Sequence, residues 1–179
     1  MPVDERTTRR PAGFGELLLY LDYDGVLHYD NARWHPRRGV FLTAPPGYVL
    51  FQHVGLLEDA LAPYAAVRIV LSTSWVRVFS FSRAVKRLPL GLQARVIGAT
   101  YHSRMNERAF EVMPRGLQVW EDVQRRQPKD WLALDNDGWD WPDAIRHHLT
   151  WTDDREGLSM SSVLEEFQQK LAAMCKGRC

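Results

Sequence analysis

The sequence predicts an α/β fold: a mostly parallel sheet with helices on both faces, in three layers. Three observations predict it. Short continuous apolar runs stop abruptly at polar residues, as strands buried on both faces do. Helical periodicities fill the intervals between those runs, the alternation expected of a parallel sheet with right-handed crossovers. The length of 179 residues, with 45% hydrophobic and 25% charged residues, suits one compact domain over residues 1–179 with a substantial core.

The elements follow in order. Leu17 to Leu21 is the first run, ended by Asp22 and Gly25. From His28 to His53 the chain carries Pro36, Pro45 and Pro46 and reads as an enlarged irregular flap. Val54–Leu61 is the first helical pattern. Val67 to Leu71 is the second strand, stopping at Ser72, Thr73 and Ser74, and Val76–Leu88 reads as one helix after it. Arg95 to Ile97, ended by Gly98, is a weaker strand. The next helix is predicted over Gly116–Arg126, with Pro128 as its stop. Trp131 to Leu134 forms a strand ended by Asp135, Pro142–His147 a helix with proline in its first turn, and His148 to Thr152 a last strand. Ser161–Met174 closes the chain as a helix, and the core spans about residues 17–152. Such Rossmann-like sheets bind ligands at the carboxyl ends of their strands, where Asp22, Asp24, Ser72, Thr73 and Asp135 would gather.

Composition narrows the setting. The 23 Lys and Arg against 22 Asp and Glu leave a net charge of +1, so no global field draws the chain to nucleic acid or membrane. The charge is nevertheless uneven. Ala60 to Arg115 holds nine basic residues against two acidic, and Pro128 to Phe167 three basic against ten acidic. A basic flank beside an acidic one suits a site for an anionic substrate and a divalent cation; mutual pairing of the two flanks explains it equally well. Cys175 and Cys179 lie in the last five residues, able to pair or to stay free, and with no His or Cys cluster beside them a zinc site built on them is not expected. Met1 to Gly15 contains Asp4, Glu5, Arg6, Arg9 and Arg10 and no apolar stretch of signal-peptide length, and Leu17 to Leu21 is too short to cross a bilayer. A cytoplasmic protein without a membrane partner is expected.

The most informative segment is Leu19-Tyr20-Leu21-Asp22-Tyr23-Asp24-Gly25-Val26-Leu27-His28. Two carboxylates two residues apart leave the end of a buried strand, and Gly25 permits the sharp turn that follows. An EF-hand calcium loop is excluded, because Val26 and Leu27 stand where an oxygen ligand and a glycine are required. This segment resembles the first motif of the haloacid dehalogenase-like (HAD) superfamily. The resemblance implies a phosphatase with Asp22 as nucleophile and Asp24 as general acid and base, since dehalogenase members lack the second aspartate. Such chemistry suits a carboxylate that can form an acyl phosphate beside an acid that protonates the leaving oxygen.

Three further motifs follow in the family's order. Val67 to Trp75 resembles the second, with Ser72 as the hydroxyl that binds a phosphoryl oxygen and Thr73 as runner-up; Gly25 joins them in substrate binding. Arg115 stands where the family carries a cation, usually Lys, with Lys86 and Arg104 as rivals. Asp135-Asn136-Asp137-Gly138-Trp139-Asp140 resembles the acidic motif that holds Mg²⁺. The implied metal residues are Asp22, Asp24, Asp135 and Asp140, with Asp137 the alternative to Asp140. Ser72 to Trp75, Leu134 to Asp137 and Thr152 to Asp154 look like a branch of small members found as domains in bacterial RNA-repair proteins.

Ser72 lies fifty positions after Asp22, and helix and flap fill the interval, so no cap domain is expected. Capless members resemble enzymes open to phosphorylated macromolecules as well as small esters, and nucleic acid is a possible partner. His28, His35, His53, Arg33, Trp34, Arg37 and Arg38 are flap residues available to a substrate. Trp131, Trp139, Trp141 and Trp151 surround the acidic motif and read as core packing rather than base-stacking platforms. The competing reading is a weak or inactive HAD-like module that binds a phosphorylated ligand, nucleic acid or protein, motivated by Asn136 and Arg115.

Overall fold

A computed structural model describes residues 10–176. In chain order its elements are β1 (Leu17–Leu21), β2 (Ala32–His35), β3 (Gly39–Leu42), α1 (Val54–Leu61), β4 (Val67–Leu71), α2 (Trp75–Phe79), α3 (Phe81–Val85), α4 (Leu90–Gln93) and β5 (Val96–Ala99). There follow α5 (Glu107–Val112), α6 (Arg115–Arg126), β6 (Asp130–Asp135), a 3₁₀ helix (Asp143–His148), β7 (Leu149–Trp151) and α7 (Ser161–Cys175). Five strands form one sheet in the order β5-β4-β1-β6-β7, all parallel.

The central strand explains the unbroken apolar run. Leu17, Leu19 and Leu21 pack on one face with Leu57 of α1, Trp75 of α2 and Phe167 of α7. Leu18 and Tyr20 pack on the other with Val119 and Val123 of α6 and with Trp131. Side chains alternate across a strand, so a strand covered on both sides needs apolar residues at every position. The tryptophans divide accordingly: Trp131 and Trp141 are buried, whereas Trp139 and Trp151 are exposed.

One buried polar network crosses this second layer. Tyr20 donates its hydroxyl to Asp122 Oδ2 at 3.0 Å, and Arg126 donates Nε to the same oxygen at 2.6 Å. Arg126 also donates to the carbonyls of Ala12 and Ala99, tying the carboxyl end of α6 to β5 and to the segment before β1. Gln127 then ends α6 in the left-handed region at φ 53°, ahead of Pro128.

Several predicted elements take a different form. The helix predicted over Val76–Leu88 is two short helices, because Ser80 at φ 96° reverses the chain between α2 and α3. The flap is not wholly irregular: β2 and β3 form an antiparallel hairpin in register Ala32 to Leu42 and His35 to Gly39. The predicted helix near Pro142 is a 3₁₀ helix that begins after the proline. The weaker strand runs Val96–Ala99, and α4 and α5 were not expected. Cys179 and the residues through Arg9 lie outside the described residues. No helix among the described residues is long and apolar enough to cross a membrane.

Candidate active site

The register of three parallel strands assembles the site. Leu21 pairs with Leu71 on one side and Leu134 on the other, so the next residues of each chain, Asp22, Ser72 and Asp135, emerge together. Backbone bonds continue one step past the strands: Asp22 donates to Leu134 O at 3.1 Å, Ser72 to Leu21 O at 2.8 Å, and Thr152 to Asp135 O at 3.0 Å. Asp22 is 3% exposed, and its Oδ1 accepts the Tyr23 N–H at 2.7 Å.

After Asp22 the chain folds tightly back. Gly25 adopts φ 68°, and its N–H donates to His28 O at 2.9 Å. This return brings His28 Nε2 to 3.0 Å from Asp24 Oδ1, while Trp75 donates its indole N–H to Asp24 Oδ2 at 2.8 Å. Both oxygens of Asp24 are therefore held. His28 is fully buried, flanked by the rings of Phe51 and Trp75, so it is a support of Asp24 rather than a flap residue offered to substrate.

Arg115 enters from the first turn of α6. It lies 3.6 Å from Asp22 Oδ2 and 3.4 Å from Asp135 Oδ2, and it donates to the Ser72 carbonyl. The rivals Lys86 and Arg104 are exposed and line no part of this cleft. The next residue, Gly116, lets α6 approach Trp141 closely, since an added Cβ would stand 2.9 Å from Trp141 Cα. Gly116→Ala is expected to push α6 away from Trp141 and destabilise the protein by about 1–3 kcal/mol, the usual effect of overpacking, read as a lower urea midpoint.

The cleft has a volume of about 370 Å³. Asp22, Asp24, Asp30, Asp137 and Asp154 line it, and Arg115 is the one Lys or Arg among the described residues that do. Charge of one sign crowded into a partly buried space disfavours ionisation. Burial raises the Asp22 carboxyl to about 6, with Asp24 adding to the rise while Arg115, the Tyr23 N–H and the Thr73 hydroxyl oppose it. Burial and the neighbouring Asp22 hold Asp135 well above the usual carboxylate range, against the pull of Arg115. Asp30 is raised by burial and then by Asp154 and Asp24. Burial works against the charge on Arg115, but Asp135 and Asp22 outweigh it and raise its pKa further.

Of the expected residues Asp22, Asp24 and Arg115 line the cleft, Asp135 and Thr73 meet Arg115 and Asp22 without lining it, and the others shift position. Ser72 is 1% exposed and does not line the cleft; its hydroxyl has no hydrogen-bond partner among the described residues. The hydroxyl facing Asp22 belongs to Thr73, and Ser74 lines the cleft without capping α2. Asp140 is exposed and outside the lining, because the chain turns away at Gly138; Asp137 lines the cleft and donates its N–H to Asp135 Oδ1 at 3.0 Å. Gly25 also stays outside the lining. An added Cβ there would meet Asn136 Nδ2 at 2.4 Å, so glycine allows the first and last acidic loops to touch. Sequence reasoning missed Asp30 as a site residue, since it is brought to the cleft by a long-range backbone bond, its N–H donating to Asp154 O at 2.7 Å, that no local pattern signals.

Among the described residues no three His, Cys, Asp or Glu side chains converge as a metal cluster. Asp135 Oδ2 is nonetheless buried without a hydrogen bond, next to an equally buried Asp22. One carboxylate oxygen without a hydrogen bond, beside a second buried carboxylate at the cleft, fits a hard cation that takes few protein oxygens and keeps several waters, as magnesium does.

No curated protein and no solved structure matches the chain. A family model does: the HAD domain in Swiss Army Knife RNA repair proteins matches residues 18–163, from β1 into the first turn of α7. Since that stretch holds every strand of the parallel sheet and every carboxylate of the cleft, the chain belongs to this family of HAD domains.

Proposed function

We propose that the protein is a magnesium-dependent phosphomonoester hydrolase working through an aspartyl-phosphate intermediate. The observation that carries this reading is the placement of buried Asp22 between Arg115, Asp135 and the tethered Asp24. A carboxylate oxygen of Asp22 attacks phosphorus, the ester P–O bond breaks, and Asp24 gives its proton to the departing alkoxide. Asp24 then takes a proton from water, whose oxygen attacks the phosphorus of phospho-Asp22. That step frees inorganic phosphate and restores the carboxylate. His28 and Trp75 hold Asp24 against rotation, and Arg115 with Thr73 orients the phosphoryl oxygens.

Asp22 and Asp135 are the residues that would hold magnesium, with Asp137 the nearer acidic neighbour and Asp140 remote. When bound, magnesium supplies positive charge that lets Asp22 ionise and offsets the charge of the transferring group. Hydrolysis of p-nitrophenyl phosphate is expected to require Mg²⁺, to vanish in excess EDTA and to return on adding Mg²⁺. The chelated protein should also melt several degrees lower than the magnesium form. Full activity in EDTA would refute the metal's role.

One observation favours a second reading. Arg115 already lies between Asp22 and Asp135, so the guanidinium could itself serve as the cation of a phosphate-binding module without turnover. Tight binding of inorganic phosphate with no hydrolysis across a phosphoester panel would select it. The family's name concerns RNA repair, and phosphorylated RNA ends are the first macromolecular substrates to test.

A further inference from the structure

Trp139 is 78% exposed, yet it stands at the catalytic cleft and is the one apolar side chain among the described residues lining it. Tryptophan ordinarily buries a large area, and an indole left in water on a functional loop asks for a partner. Its setting is built rather than loose. Trp151 meets it edge to face at 5.0 Å and 83°, and donates its own indole N–H to Asn136 O at 2.8 Å. Trp141 donates to Asp137 O at 2.8 Å, so two indoles pin the loop from which Trp139 projects. Gly138 makes the bracing possible, since an added Cβ would come within 2.5 Å of the Trp151 ring. Arg146 reaches the carbonyls of Trp139 and Trp141 from behind. The Trp139 side chain itself is spent on neither core nor hydrogen bond among the described residues.

We propose that Trp139 is a stacking platform for the nucleobase of a nucleoside phosphate whose phosphoryl group lies against Asp22. The inference rests on the hydrolase reading for the position of the phosphate. An ester held at Asp22 projects its leaving group toward the mouth, where a flat ring meets the indole. Stacking one base on an aromatic side chain is worth about 1–3 kcal/mol, enough to select nucleosides over bare sugars. The surrounding carboxylates favour a base over a second phosphate at this part of the mouth. Asp30, Asp137 and Asp154 repel additional phosphates but accept hydrogen bonds from exocyclic amino groups. A mononucleotide and the last nucleotide of a strand share this chemistry.

The test compares kcat/KM for adenosine monophosphate, a short 5′-phosphorylated RNA and ribose 5-phosphate in the full-length protein. Trp139→Ala should lower the ratio of nucleotide to ribose phosphate by about tenfold or more, mainly through KM, with thermal stability retained. Trp139→Phe should restore most of the ratio, while Trp139→Leu, apolar but without a π face, should not. Equal losses for RNA and mononucleotide place the strand's terminal nucleotide on the indole; a loss for the mononucleotide alone confines the site to free nucleotides. An unchanged ratio, rescue by leucine, or an equal loss for a phosphotyrosyl peptide would overturn the platform. Calorimetric binding of adenosine monophosphate to Asp22→Asn separates the two readings. Binding that depends on Trp139 in a protein whose wild type hydrolyses nothing would keep the platform and remove the hydrolase.

Discussion

Asp22→Asn is expected to abolish phosphate release, by at least about a thousandfold, the order found when a covalent nucleophile is removed. The side chain keeps its shape and can still accept the Tyr23 N–H, so the loss reports chemistry rather than folding. A second readout makes this explicit. Burial raises the Asp22 carboxyl to about 6 in the absence of metal, so the fold favours its neutral form. Its contribution to stability is present below the unfolded carboxylate range and is lost as pH rises through about 6. In EDTA at neutral pH the asparagine variant should therefore melt above wild type, the difference shrinking as pH falls below about 6. Undiminished hydrolysis by Asp22→Asn would end the phospho-aspartate mechanism.

Asp122→Ala should be among the most destabilising single substitutions outside the site. Arg126 is 4% exposed, and removing its carboxylate leaves a buried guanidinium and the buried Tyr20 hydroxyl without their partner. Breaking a buried pair from one side costs about 3–5 kcal/mol, a large part of the stability of an ordinary domain. Urea denaturation should show the fall in midpoint. Asp122→Asn should lose less, because an acceptor remains. The double variant Asp122→Leu with Arg126→Met should recover much of the loss, since an apolar pair of similar volume avoids the unpaired charge. A midpoint within error of wild type for Asp122→Ala would show that the network contributes nothing.

The parts legible in sequence were those with a local cause. A strand covered on both faces must be apolar throughout, so Leu17 to Leu21, Val67 to Leu71 and Trp131 to Leu134 announced themselves and their polar ends. Parallel register then set Asp22, Ser72 and Asp135 side by side. What escaped depends on how loops travel. The break at Ser80 needs a positive φ that serine seldom adopts, and nothing in Val76 to Leu88 signals it. Thr73 rather than Ser72 meets Asp22 because three residues, Ser72 to Ser74, lie between the end of β4 and the start of α2, and the strand alternation no longer fixes which of their hydroxyls faces the cleft. Asp137 and Asp140 have equal charge, and only the close packing of Gly138 on Trp151 decides which faces the cleft. The tryptophans around the acidic motif divided between core and solvent for the same reason: Trp131 and Trp141 fall on inward positions, Trp139 on a loop apex.

Asn136, the residue by which the last acidic motif departs from a pair of adjacent aspartates, fastens three segments together. It donates to Asp154 Oδ1 at 2.9 Å, hydrogen-bonds Asp30, and rests on the bare backbone of Gly25. An aspartate in its place would remove the donor and add a third negative charge against Asp30 and Asp154. Position 136 is therefore not free to change by itself. Across related chains, gain of a carboxylate there should travel with loss of one at 30 or 154, a correlated exchange that an alignment would register as covariation between distant positions.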